Sequence, residues 1–131
     1  MLYWFDDNRK ISDIPGKRKV FFEMGRDRMT ETDIDRINCF INEAIDKVIS
    51  EKSGSDKTYY VPGWQAPDKW EGLPLQQIYD KAFPGDPEQC ALWYGLITMK
   101  VFINRTDNWY VMKTEFAGRS FSQAVYWPKE S

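Results

Sequence analysis

The 131-residue sequence contains no histidine. That absence excludes Ser-His-Asp and Cys-His nucleophile systems, paired-histidine phosphodiesterases, HNH nucleases and almost every zinc hydrolase, because each needs an imidazole as base or ligand. It also removes the side chain best suited to moving protons near neutral pH. Cysteine is scarce. Cys39 and Cys90 show no CxxC spacing and sit in apolar segments, a pattern that predicts buried free thiols in a reducing compartment. No apolar run approaches the ~18 residues of a membrane span. The opening MLYWFDDNRK reaches an acidic pair after five residues and has no apolar signal core, so a cytoplasmic location is expected. Walker A and GxGxxG patterns, internal repeats and low-complexity tails are all missing. Net charge is only −2, which argues against both a duplex-DNA binder and a DNA mimic.

Aromatics are abundant instead: 6 Trp, 7 Tyr and 8 Phe make up 16% of the chain. So many large apolar groups beside 29% charged residues exclude disorder and fit one folded domain over residues 1–131. Residues 2–5 (LYWF) and 19–24 (KVFFEM) read as two short strands around a turn at Pro15-Gly16. Ile34, Ile37, Ile41, Ile45 and Val48 recur at spacings of three and four, drawing one apolar stripe along a helix over about 30–51. Residues 52–73 form a long connection carrying Tyr59, Tyr60, Trp64 and Trp70, and a short helix follows from Pro74 to a stop at Pro84-Gly85. Asp86-Pro87 starts a helix over about 87–103 that is apolar on most faces, as expected of a buried or oligomer-packed helix. WYVMKTEF (109–116) and SFSQAVYW (120–127) read as a C-terminal hairpin. The fold expected is α+β: an antiparallel sheet from the N-terminal and C-terminal strands, packed against the two main α-helices.

Charge is unevenly spread. Residues 1–28 and 100–131 each carry net +2, while 29–52 and 53–99 each carry net −3. Within the first block, Arg26 and Arg28 flank Asp27 just before a helix start. Guanidinium forks beside unpaired helix N–H groups suit a phosphate, and internal pairing with Asp27, Glu31 or Asp33 is the plain alternative. Trp64, Trp70, Trp93, Tyr94 and Trp109 offer flat faces on which a nucleobase stacks for about 1–3 kcal/mol; for Trp93 and Trp109 the competing reading is core. Asn104 and Arg105, at the end of the third helix, are placed to read a base edge or hold a second phosphate. The carboxylate pairs Asp6/Asp7 and Asp68/Glu71 lack the apolar setting that raises a pKa for acid–base work. No catalytic residue, metal or cofactor is expected.

The layout Gly63-Trp64, then Trp70-Glu71-Gly72-Leu73-Pro74-Leu75-Gln76-Gln77-Ile78-Tyr79, then Ala91-Leu92-Trp93-Tyr94-Gly95-Leu96 and Asn104 to Tyr110 resembles small phage-encoded proteins. The group it is most similar to is the first Thoeris anti-defence family, viral sponges for nucleotide immune signals. The likeness spans about residues 60–115 and rests on layout rather than a diagnostic motif. It implies a protein that binds cyclic ADP-ribose isomers or small cyclic oligonucleotides without cleaving them, in a homo-oligomer with sites between subunits. It further implies Met24 with Arg28, and Tyr94 or Trp93 with Asn104, as ligand contacts, and makes Arg105 and Arg119 the candidates for the remaining arginines. With Arg26 and Trp70 from the residue-level reading, these form the expected ligand set. The alternative is a protein–protein inhibitor or immunity-type module using exposed Trp and Arg as hot spots.

Overall fold

In the computed structural model the described residues are 2–4, 9–10, 16–52, 60, 67–105, 109–116 and 122–128; within the strands the description covers the backbone and the Tyr126 side chain. The elements run β1 (Leu2–Trp4), β2 (Arg9–Lys10), α1 (Gly16–Asp27), α2 (Glu31–Lys52), a 3₁₀ turn (Pro67–Lys69), a π-helical turn (Ile78–Ala82), α3 (Pro87–Asn104), β3 (Trp109–Phe116) and β4 (Ser122–Pro128).

The expected α+β architecture is overturned. Of the residues whose side chains are described, 79% are helical and 3% extended. The terminal segments do pair backbone to backbone. β3 runs antiparallel to β4, with Trp109 opposite Pro128 and Glu115 opposite Ser122, and β1 and β2 pair with successive stretches of β3. Of its side chains only Tyr126 is described, and that one packs into the core on Phe102 of α3. The described core is mainly helix on helix, from α1, α2, α3 and the π-helical turn, with Tyr60, Trp70, Leu75 and Tyr126 joining it from outside those elements.

The clearest local error lies at residues 19–24, expected as a strand and found inside α1. The run is rich in β-formers, but its apolar residues serve a helical face. Phe22 stacks on Trp93 with centroids 5.1 Å apart, Phe21 stacks on Phe83 at 4.9 Å, and Gly25 lies against Trp93. Strand propensity mostly measures packing on a pleated surface, and here the surface offered is another helix.

The helix expected at 30–51 is α2, and its apolar stripe buries Ile37, Ile41 and Ile45 completely. Its start is a reciprocal capping box: the Thr30 N–H donates to Asp33 Oδ2 at 3.0 Å and the Asp33 N–H to Thr30 Oγ1 at 3.1 Å. The helix expected at 87–103 is α3. Asp86 caps it by accepting from the Gln89 N–H at 3.2 Å, and Pro87 fills its first turn. Between them, Gly72 (φ 80°) and Gly85 (φ 73°) take left-handed conformations that other residues adopt only with strain. The short helix expected after Pro74 is the π-helical turn, entered through tight turns at 71–75. Among the described residues no helix is long and apolar enough to cross a membrane.

Candidate functional site

Trp70, Trp93 and Tyr94, expected to face a ligand, belong to the core. Trp70 and Trp93 have no exposed surface, and Tyr94 retains 2%. Trp93 donates its indole N–H to the Phe22 carbonyl at 2.9 Å. Trp70 sets its edge on Tyr94 at 5.7 Å, and the Tyr94 hydroxyl meets that of Tyr60 at 3.1 Å. Tyr126 completes the group by stacking on Phe102 at 4.1 Å. Each ring is fully engaged with protein, so none is a platform for a base.

Two of the arginines are likewise engaged. Arg28 does not lie free beside the α2 start. It donates to the Ala82 carbonyl at 2.7 Å and sits 5.7 Å from the centre of the Phe83 ring, tying the α1–α2 corner to the end of the π-helical turn. The place near the helix N-terminus offered to a phosphate holds the protein's own Asp33 carboxylate. Arg105 bridges α3 to α2, donating to Asn42 Oδ1 at 2.9 Å and Asp46 Oδ1 at 2.7 Å. Arg119 lies outside the described residues, as do Trp64 and the side chain of Trp109. Met24 and Asn104 are exposed but line none of the clefts described below. Among the described members of the expected set, Arg26 alone lines one.

Three open clefts surround the N-terminal half of α2. The first, about 440 Å³, lies at the α1–α2 corner between Arg26, Asp27, Met29, Glu31, Ile34 and Asp35. Its three carboxylates outnumber its one guanidinium, a balance that repels phosphate. The second, also about 440 Å³, runs along α2 past Thr32, Asp35, Arg36, Cys39, Phe40 and Glu43 to Pro74. The third, about 530 Å³, lies between α2 and the turn 72–77, with Asp33 and Arg36 on one wall and Gly72, Leu73, Pro74, Gln76 and Gln77 on the other. Asp33 is neutralised there by Lys81 Nζ at 2.8 Å. That hydrogen bond, followed by the Thr30 N–H, holds its carboxyl below the usual range.

The groups displaced towards their neutral forms sit elsewhere. Burial raises Tyr60, Tyr94 and Tyr126, and burial followed by the nearby Asp86 charge pushes Cys90 up to about 11. All four are buried, and none lines the three clefts. Cys90 matches the expectation of a buried thiol, whereas Cys39 is exposed on α2. No group of three or more Cys, Asp or Glu placed to hold a metal ion exists among the described residues.

Sequence reasoning overlooked Arg36, Gln76 and Gln77 as site residues. The available signals were the Gly72-Leu73-Pro74 turn ahead of paired amides, and Arg36 on the polar side of the amphipathic α2. Comparison of the chain with protein-family models, with curated proteins and with solved structures gives no match.

Proposed function

We propose that this chain is a non-catalytic binding protein that captures a nucleotide-derived signal, such as a cyclic ADP-ribose isomer or a small cyclic oligonucleotide, and withholds it from a receptor. In this reading it serves a phage as an anti-defence sponge, acts in the cytoplasm of the host and works as a homo-oligomer. The observation that carries the reading is the third cleft, where Arg36 stands beside two glutamines while the only carboxylate among its described lining residues is already matched by Lys81. A cleft of that size accommodates a small ligand, and guanidinium with carboxamides is the donor set that recognises phosphate and base edges. Sequestration requires affinity and copy number, not a nucleophile or base. The exposed apolar residues Leu92 (37%) and Ile103 (36%) on α3 support association between copies.

The test is thermal unfolding with and without cyclic dinucleotides, cyclic trinucleotides and cyclic ADP-ribose isomers. A ligand at 100 times its dissociation constant adds about 2.7 kcal/mol of stability, and intact ligand is recovered after denaturation. Conversion of the ligand makes the protein an enzyme; no stabilisation by any of them defeats the reading.

A second reading, a protein–protein inhibitor or immunity-type module, has its own support in Val20 (71% exposed) and Met24 (41%), one turn apart on α1. The Trp residues first considered as its hot spots are buried where their side chains are described. Under this reading Val20→Asp abolishes activity in a defence assay while the nucleotide panel stays silent.

A further inference from the structure

The geometry points to the cleft between α2 and the turn 72–77 as a phosphate-anchored nucleotide site, in which Arg36 holds the phosphate and the Gln76 and Gln77 carboxamides meet the base or ribose. This assignment rests on the nucleotide-binding reading above and adds the location, the residues and the anchoring charge.

Charge decides among the three clefts. At the α1–α2 corner Arg26 is surrounded by Asp27, Glu31 and Asp35. Along α2, Arg36 faces Asp35 and Glu43. On its side towards the third cleft the acidic residue among the described lining is Asp33, whose carboxylate already accepts from Lys81 at 2.8 Å and from the Thr30 N–H at 3.0 Å. Arg36 itself makes no hydrogen bond or ion pair among the described residues. A guanidinium that makes no ion pair of its own at a concave site is available to anchor an anion, and its fork matches two phosphate oxygens.

The opposite wall supplies the polar reading groups. Gln76 gives its amide N–H to Asp80 Oδ1 at 3.0 Å, which orients its carbonyl oxygen as the group still able to accept. Gln77 has no side-chain partner among the described residues, leaving its carboxamide able to donate and accept at once. Leu73 and Pro74 add apolar surface for the uncharged part of the ligand.

The backbone holds this wall in place. Gly72 takes φ 80°. The Leu73 N–H donates to the Trp70 carbonyl at 2.8 Å, and the Gln76 N–H to the Leu73 carbonyl at 3.0 Å. Trp70, Leu75 and Ile78 are fully buried beneath, fixing the turn to the core. The π-helical turn follows at once, a geometry that recurs at functional sites. A recognition wall pinned from below loses little entropy on binding.

The experiment titrates the full chain with inorganic phosphate, AMP, cyclic di-AMP and cyclic ADP-ribose isomers by calorimetry, for wild type, Arg36→Ala, Arg36→Lys, Gln77→Ala, Arg26→Ala and Arg18→Ala. Arg36→Ala is expected to weaken nucleotide binding at least ten-fold with an unchanged melting temperature. Arg36→Lys recovers part of the loss and Gln77→Ala weakens binding several-fold. Arg18, exposed on α1 and outside every cleft described, serves as the control whose removal leaves affinity as it was. Binding that survives Arg36→Ala, or is lost with Arg26→Ala instead, overturns this site while leaving sequestration standing. Inorganic phosphate binding as tightly as the nucleotides overturns the nucleotide assignment. A wild-type chain that binds none of these nucleotides overturns the cleft and the sequestration reading together.

Discussion

Trp93 and Gly25 are bound by shape: a β-carbon placed on Gly25 collides with the indole Nε1 and stands 2.7 Å from Cδ1. The indole has nowhere to retreat, since it is fully buried, stacks on Phe22 and donates to the Phe22 carbonyl at 2.9 Å. The missing side chain at Gly25 therefore sets how closely α1 approaches α3.

Gly25→Ala is accordingly expected to destabilise the protein by about 1–3 kcal/mol, the range for overpacking a tight core, although alanine is the better helix former by about 1 kcal/mol. Urea unfolding measures it. A stability equal to or above wild type shows that the two helices separate without cost, against the close packing described.

Arg28→Ala is expected to cost about 1 kcal/mol of stability, combining loss of the bond to the Ala82 carbonyl with loss of the Phe83 contact. The sequence reading makes Arg28 a ligand contact, a role whose loss leaves folding unchanged. Denaturant midpoints of wild type, Arg28→Ala and Arg28→Lys separate the two, because a purely ligand-facing arginine leaves all three alike in the absence of ligand.

Asp33→Asn should lower stability by about 1 kcal/mol at neutral pH, through loss of the capping interaction and the Lys81 pair. The direction of its pH dependence follows from a folded-state pKa held below the ordinary value, first by Lys81 and then by the Thr30 N–H. The stabilisation is fully present above the ordinary carboxylate value of about 4, and it fades as pH falls through the lowered folded value. The gap between wild type and variant should close in that acidic window. A gap independent of pH means that the carboxylate charge contributes nothing.

Cys39 and Cys90 should separate cleanly in a thiol titration near pH 8. Cys39, exposed on α2, reacts at once. Cys90 is fully buried, lies with its sulfur 3.3 Å from the Phe83 carbonyl oxygen and is pushed up to about 11 by burial and Asp86, so it reacts only after unfolding. Two fast thiols in the native protein contradict the packing around α3.

The sequence by itself determined what depends on neighbours along the chain. The spacing of Ile37, Ile41 and Ile45 specifies one face of α2, and Asp86-Pro87 specifies where α3 begins. Loss of every histidine narrows the chemistry before any fold is known. Tertiary structure decided what depends on partners far away in sequence. KVFFEM is compatible with a strand until Trp93, Phe83 and Lys100 supply a helical bed for it. Trp70, Trp93 and Tyr94 have the same rings whether they stack on a base or on each other, and only burial shows which. Arg28 and Arg36 are alike as residues. One meets the Ala82 carbonyl 54 positions away and the other meets an open cleft, because desolvation and pairing are properties of a place in space, not of a residue type.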